Sequence, residues 1–225
     1  MEEHRIVDDP RLMTTPAPGL ARGVVLLLHG GQESSHEPVE NKHASWWRMA
    51  LMARSLRPFA KTHGLTLVLV QYRKRGWNDD ADPDPVKDAQ WALDRIAQDW
   101  AGLPVVVVGH SMGGRTACRI AGAESVVGIV GLAPWLPRNE SVAAITGKQL
   151  RVLHGSRDKW TSAKWSRDFV DRTQGLAAGA TWTSMPGAGH FMLRRVSAWN
   201  AFVEESVLDI LSLVDKEGAP TEGTP

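Results

Sequence analysis

The stretch of residues 103–122, LPVVVVGHSMGGRTACRIAG, constrains the fold more than any other part of the chain. Its four consecutive valines (105–108) predict a strand that is buried on both faces. The next five residues, GHSMG (109–113), have the G-x-S-x-G pattern of a sharp turn from a strand into a helix. Residues 116–123 are mostly small or apolar and predict a buried helix. Ser111 is therefore expected at the apex of the turn.

A serine in such a turn has a chemical use. The strained backbone holds the Ser111 hydroxyl clear of the sheet, and it directs the Met112 N–H and the helix N-terminus at the same space. A serine hydroxyl is a weak nucleophile until a base removes its proton, and that base needs a carboxylate to orient it. The pentapeptide also arises by chance in glycine-rich chains. The strand before it and the helix after it favour the functional interpretation.

Strand and helix patterns alternate along the rest of the chain. This alternation predicts an α/β fold: a three-layer sandwich in which a mostly parallel sheet of about six strands has helices on both faces. The predicted strands are residues 23–29, 65–71, 104–109, 126–132, 150–154 and 180–185. The other predicted helices cover residues 46–61, 85–100, 162–174 and 195–214. One domain is expected over residues 23–214, with an N-terminal arm (1–22) and a disordered tail (215–225).

Composition disfavours several classes of function. The chain has 26 basic and 25 acidic residues, so its formal net charge of +1 does not favour a nucleic acid or an anionic membrane as partner. No apolar run is long enough to span a bilayer, and the charged first residues do not resemble a secretory signal, so we expect a cytoplasmic protein. Cys118 is the single cysteine. The histidines are scattered over separate loops, so we expect no metal site. The oligomeric state stays open.

Two further residues follow predicted strands, where functional groups gather in an open parallel sheet. Asp158 comes four residues after the strand 150–154, and His190 comes five residues after the strand 180–185. The order Ser111, Asp158, His190 is a nucleophile, acid, base order. His154 also ends a strand, but we interpret it as structural because Asp158 shares its loop. Glu140 is a remote second candidate for the acid.

With these segments in place, GHSMGG, HGSRD (154–158) and GAGH (187–190) resemble the α/β-hydrolase superfamily, and specifically small capless bacterial hydrolases that are similar to dienelactone hydrolases and esterases. The resemblance spans about residues 23–212. It implies a cofactor-free catalytic triad of Ser111, Asp158 and His190. The HGGQ segment (29–32) resembles the family's HG-x loop. The likeness implies an oxyanion hole formed by the N–H groups of Gly31 and Met112, with Gln32 as the alternative to Gly31.

The hypothesis is a serine hydrolase that cleaves carboxylic ester or thioester bonds of small molecules through an acyl-enzyme. Two alternatives stay open, an acyltransferase or perhydrolase that uses the same triad, and a ligand-binding homologue without turnover. Only residues 133–149 stand where relatives with lids carry a long insertion, so we expect an open, shallow site. The candidates for its wall are Gln32, Trp77, Trp135, Trp160 and Phe191, although the tryptophans could equally pack the loops onto the sheet.

Overall fold

The computed structural model describes residues 9–217, and within them seven strands form a single sheet. Their order across the sheet is β1-β3-β2-β4-β5-β6-β7, and all neighbours are parallel except β1 and β3. The predicted fold class is confirmed. The strands are β1 (Arg11–Thr15), β2 (Gly23–Leu28), β3 (Leu65–Gln71), β4 (Val105–His110), β5 (Val126–Leu132), β6 (Gln149–Gly155) and β7 (Gly179–Met185).

Strand β1 corrects the predicted count of six strands. It lies in the segment that was expected to be an arm, and it pairs antiparallel with β3, from Arg11 opposite Gln71 to Thr15 opposite Leu67. Its sequence, RLMTT, has no buried residue, because an edge strand can leave both of its faces partly exposed. The hydrophobic pattern that revealed the other strands is therefore missing from it.

Six helices cover the two faces of the sheet, and two of them replace the single helix predicted over 46–61. The division falls at Leu56. Pro58 lies in the first turn of the second helix, where a residue without an N–H is tolerated. The same proline could not continue the first helix, because that helix would need its N–H as a donor. The helices are α1 (Ala44–Ser55), α2 (Arg57–His63), α3 (Asp84–Asp99), α4 (Met112–Ile120), α5 (Ala163–Thr173) and α6 (Val196–Glu217).

The last helix extends three residues into the segment that was predicted to be a disordered tail. The rest of that tail, 218–225, and the first eight residues of the predicted arm lie outside the described residues. Within residues 9–217, no helix is long and apolar enough to cross a membrane.

The core consists of two apolar layers, one on each side of the sheet. Alternate side chains of a strand point to opposite faces. Val105 and Val107 accordingly belong to the apolar layer between the sheet and helices α3, α4 and α5. Val106 and Val108 belong to the layer on the other face, with α1 and α6. All four valines are fully buried. This two-sided burial fixes β4 at the centre of the sheet and fixes the position of the turn that follows it.

Two loops pair with each other at the carboxyl edge of the sheet. Residues 32–39, after β2, and residues 73–78, after β3, are joined by six backbone hydrogen bonds with N···O distances between 2.8 and 3.3 Å. These hydrogen bonds hold the two loops together beside the turn after β4.

Candidate active site

Ser111 lies at the turn between β4 and α4 in a backbone conformation that is rare for a residue with a side chain. Its φ angle is +56°. A Cβ atom on Gly113 would overlap the backbone carbonyl of Leu28, and one on Gly109 would overlap that of Gly113. Both positions therefore require glycine, and the pattern that drew attention to this stretch follows from close approach of backbones.

The structure brings Ser111, His190 and Asp158 into one hydrogen-bonded chain. His190 Nε2 lies 3.0 Å from Ser111 Oγ, and His190 Nδ1 lies 2.8 Å from Asp158 Oδ2. Ser111 is 8% exposed and His190 is 7% exposed, so the bonds are largely shielded from water. An ionised carboxylate can only accept, which puts the imidazole proton on Nδ1 and leaves Nε2 to accept from the serine hydroxyl.

Several hydrogen-bond donors surround the Asp158 carboxylate and stabilise its ionised form. Burial opposes its ionisation, but hydrogen bonds from His154, His190 and the Thr161 N–H outweigh burial and hold the pKa of Asp158 well below its usual range. The Trp160 N–H (2.8 Å) and the Thr161 N–H (2.9 Å) donate to Oδ1, and the Thr161 hydroxyl donates to Oδ2 (2.9 Å). The loop after β6 is therefore folded around the charge.

His154 contacts the same carboxylate from another side. It is fully buried, with Nε2 3.2 Å from Asp158 Oδ2 and Nδ1 2.8 Å from Ser166 Oγ. Both of its ring nitrogens are engaged away from Ser111, which supports the structural interpretation of His154.

Glu140, the other candidate for the acid, is placed in a separate cluster. Its carboxylate is completely buried and forms ion pairs with Arg115 and Arg119 of α4. A carboxylate that is desolvated between two guanidinium groups is a structural ion pair, so the structure gives Glu140 no part in the chain from Asp158 to Ser111.

Three successive carbonyl groups fix the loop that carries His190. His110 Nε2–H donates to His190 O (2.9 Å), while Arg48 donates from Nε to Phe191 O and from Nη2 to Met192 O, both at 3.0 Å. Burial lowers the pKa of His110 to about 3, so its ring is neutral. Arg48 is buried and has no carboxylate partner in the part of the chain that the structure describes.

The sequence interpretation missed Arg48. One signal was available, because Arg48 stands on the buried face of α1 beside Trp46, Met49 and Met52. A charged residue at such a position usually has a specific partner.

Gly31 and Gln32, the two alternatives for the first oxyanion donor, differ in whether their N–H groups are free. The Gln32 N–H donates to Arg75 O at 2.8 Å. The N–H groups of Gly31 and Met112 have no hydrogen-bond acceptor among residues 9–217, and both residues line the cavity above Ser111. A Cβ atom on Gly31 would overlap Arg75 O and the Met112 side chain.

The cavity at Ser111 has a volume of about 360 Å³. Four of the five predicted wall residues line it, namely Gln32, Trp135, Trp160 and Phe191; Glu33, Ser45 and Thr161 line it as well.

Trp77, the fifth predicted wall residue, is not in the cavity, and this part of the prediction is wrong. It is only 2% exposed. Its ring lies 4.0 Å below the Arg115 guanidinium, and its Nε1–H donates to Asp80 Oδ1 at 2.8 Å. A buried guanidinium binds well to the face of an indole, so Trp77 supports the Trp135 wall from behind, with their rings 5.9 Å apart.

Within residues 9–217, no group of three or more His, Cys, Asp or Glu side chains could hold a metal ion. Cys118 is buried, and burial raises the pKa of its thiol, which stays protonated.

Comparisons with known proteins agree with this architecture. A family model described as "Alpha/beta hydrolase family" matches residues 25–199. No curated protein sequence matches the chain. Among similar solved structures, a serine hydrolase without a lid from Xanthomonas campestris is 17% identical with a TM-score of 0.67, and the match covers 96% of this chain and 91% of that one.

Two further structures show the same fold. A putative alpha/beta hydrolase from Agrobacterium tumefaciens is 18% identical, with a TM-score of 0.70 and coverage of 89% of this chain and 91% of that one. Est1E from Butyrivibrio proteoclasticus, solved with ferulic acid bound, is 12% identical, with a TM-score of 0.68 and coverage of 90% and 96%. At these identities the likeness establishes the fold.

Proposed function

The chain belongs to the alpha/beta hydrolase family, and from this premise we propose that it is a serine hydrolase that cleaves carboxylic ester or thioester bonds of small molecules. The observation that carries the proposal is the hydrogen-bonded chain from Ser111 through His190 to Asp158, with distances of 3.0 and 2.8 Å. It combines a nucleophile, a base and an orienting carboxylate beside a cavity.

In the acylation step, Ser111 Oγ attacks the carbonyl carbon of the substrate while His190 Nε2 takes the hydroxyl proton. The Asp158 carboxylate stays ionised and stabilises the imidazolium that forms. The negative charge on the carbonyl oxygen is stabilised by the N–H groups of Gly31 and Met112 and by the N-terminus of α4. His190 then gives its proton to the leaving alcohol or thiol, the bond to the leaving group breaks, and the acyl group stays on Ser111.

In the deacylation step, water takes the place of the serine hydroxyl. His190 removes one proton from the water, whose oxygen attacks the acyl carbon, and the same two N–H groups bind the second oxyanion. Collapse of this intermediate returns the proton from His190 to Ser111 Oγ and releases the carboxylic acid. No cofactor takes part.

The replacement Ser111→Ala tests the mechanism. It removes the nucleophile, so we expect covalent labelling by a fluorophosphonate to disappear and kcat to fall at least about 10⁴-fold. The measurement is a screen of 4-nitrophenyl esters with wild type and variant. A Ser111→Ala protein that stays active on its best ester would refute the proposal.

Two outcomes of the same screen would favour the alternatives. Labelling of Ser111 without turnover of any ester or thioester points to a ligand-binding homologue. Formation of a new ester or a peracid when an alcohol or hydrogen peroxide is added, in preference to the free acid, points to acyl transfer or perhydrolysis.

A further inference from the structure

A second cavity, also of about 360 Å³, adjoins the Ser111 cavity. The two share Trp135, Trp160 and Thr161, so these residues form the boundary between them. The remaining lining of the second cavity is Leu136, Asp158, Lys159, Ser162 and Trp165. Three indoles and a leucine thus surround a space that opens beside the reactive groups.

Trp160 is an exposed aromatic residue whose ring lies beside two other rings. The residue is 73% exposed, and its backbone N–H donates to Asp158 Oδ1 at 2.8 Å. The indole lies nearly parallel to the His190 ring, at an angle of 23° and a centroid distance of 6.3 Å, and Phe191 packs edge-on against it at 5.3 Å. An exposed indole beside two rings offers apolar surface to a flat ligand.

One cation, Lys159, lines the second cavity, and another, Arg138, lies against the ring of its lining residue Trp165. Lys159 is exposed and makes no ion pair within the described range of residues. The Arg138 guanidinium lies 5.3 Å from the centre of the Trp165 ring and likewise has no carboxylate partner there. Asp158 is the one acidic residue in the lining, and its side chain is completely buried against His190 and Thr161.

We propose that the second cavity is a subsite for the alcohol half of the substrate, and that it takes a flat aromatic group that carries a carboxylate. This inference rests on the proposed function. His190 gives its proton to the leaving oxygen, so the alcohol half lies against His190, on the side where Trp160 stands. The ring centroids of His190 and Trp160 are 6.3 Å apart, so an aromatic ring in the second cavity needs a short spacer, here about two methylene groups, to the ester oxygen beside His190.

Four acetate esters that differ only in the alcohol test the subsite. The alcohols are 2-(4-carboxyphenyl)ethanol, 2-phenylethanol, 2-cyclohexylethanol and ethanol. We expect kcat/KM to be about tenfold higher for the carboxyphenyl ester than for the cyclohexyl ester. The advantage of the carboxyphenyl over the phenyl ester is expected to shrink in high salt and in Lys159→Gln, because both weaken a surface ion pair. Equal kcat/KM for all four esters would overturn the proposal.

Trp165 provides the sharper test because it lines the second cavity and not the first. Trp165→Leu is expected to bring the ratio of kcat/KM between the phenyl and cyclohexyl esters close to one, whereas Trp165→Phe keeps most of it. The matched control is Trp47→Ala, an indole on α1 that is 51% exposed and lines neither cavity; it should leave the ratio unchanged. If Trp165→Leu lowers all four rates equally, Trp165 is merely structural and the inference is wrong.

A binding measurement separates this inference from the proposed function. The alcohol 2-(4-carboxyphenyl)ethanol is titrated by calorimetry into Ser111→Ala, which cannot turn over an ester, and into the same protein with Trp165→Leu added. Binding that weakens about tenfold with the second replacement supports the subsite even if no ester is hydrolysed. Binding that is absent, or equal in both proteins, overturns it even if esters are hydrolysed.

Discussion

Asp158 accepts hydrogen bonds from two histidines, and only one of them faces the serine. His190 Nε2 reaches Ser111 Oγ, whereas His154 Nδ1 is bonded to Ser166 Oγ. We therefore expect His190→Gln to lose nearly all activity, because no base remains, and His154→Gln to keep most of it. The measurement is kcat/KM on the best ester of the screen. If instead His154→Gln is inactive and His190→Gln is active, the base is His154.

Asp158→Asn keeps the shape of the side chain and removes its charge. An amide can donate to His190 Nδ1 and stabilise the tautomer with the proton on Nε2, which cannot take the serine proton. We expect a folded variant that has lost most of its kcat. Full activity in this variant, combined with loss of activity in Glu140→Gln, would show that Glu140 and not Asp158 is the acid of the triad.

The same carboxylate links stability to pH. Its folded pKa is depressed, so Asp158 contributes stability above about pH 4, the usual value for an unfolded aspartate, and loses the contribution as the pH falls below that value. The free energy of unfolding in urea should therefore differ most between wild type and Asp158→Asn near neutral pH, and the difference should narrow in acid. A difference that stays constant down to about pH 2 would contradict this account.

At the scale of elements, the loop after β7 depends on a helix that lies far away in the sequence. Arg48 of α1 bonds the carbonyl groups of Phe191 and Met192, and Met192 has a positive φ of 55°. Removal of the guanidinium leaves two buried carbonyl groups without their donor and frees the segment next to His190. Arg48→Met should lower kcat by about tenfold to a hundredfold with less effect on KM, because a small misplacement of the base is costly.

Two variants of α1 separate positioning from a general loss of stability. Arg48→Lys keeps the charge and one donor and should recover part of kcat. Arg54→Met removes an exposed arginine from the same helix and should leave kcat unchanged. If Arg48→Met has wild-type kcat with lowered stability alone, Arg48 merely supports the fold.

The elements differ in how far the sequence predicts them, and the reason is physical. Strand β4 begins with four consecutive buried valines, so this strand and its turn to Ser111 could be located from residues 105–113 alone. Strand β1 was not predicted because none of its five residues is fully buried, so it lacks the apolar pattern of the other strands. Trp77 was misplaced because its partner, Arg115, lies on α4 and no local pattern joins the two. The hydrogen bonds from Arg48 to the loop after β7 were missed for the same reason, since their acceptors lie 143 and 144 residues away in the sequence.

At the scale of the whole molecule, the site has loops where relatives with lids have an inserted helical segment. The connection from β5 to β6 contains only a short 3₁₀ turn, Ala143–Ile145. The walls come instead from residues 30–33, which loop 73–78 supports through backbone hydrogen bonds, from Ser45, and from the residues after β5, β6 and β7. These walls enclose about 360 Å³, near the small end of the range for ligand sites.

This open, small cavity predicts how the rate depends on acyl chain length. Each methylene that is buried contributes about 0.8 kcal/mol, or about fourfold in kcat/KM, until the cavity is full, and further methylenes stay in water. Across 4-nitrophenyl esters of about two to about sixteen carbons, kcat/KM should therefore peak among the short chains. Because no lid has to open, the rate should also pass smoothly through the concentration at which the ester forms micelles. An optimum at the long end, or a jump in rate at that concentration, would show that the walls move or that a further apolar surface binds the chain.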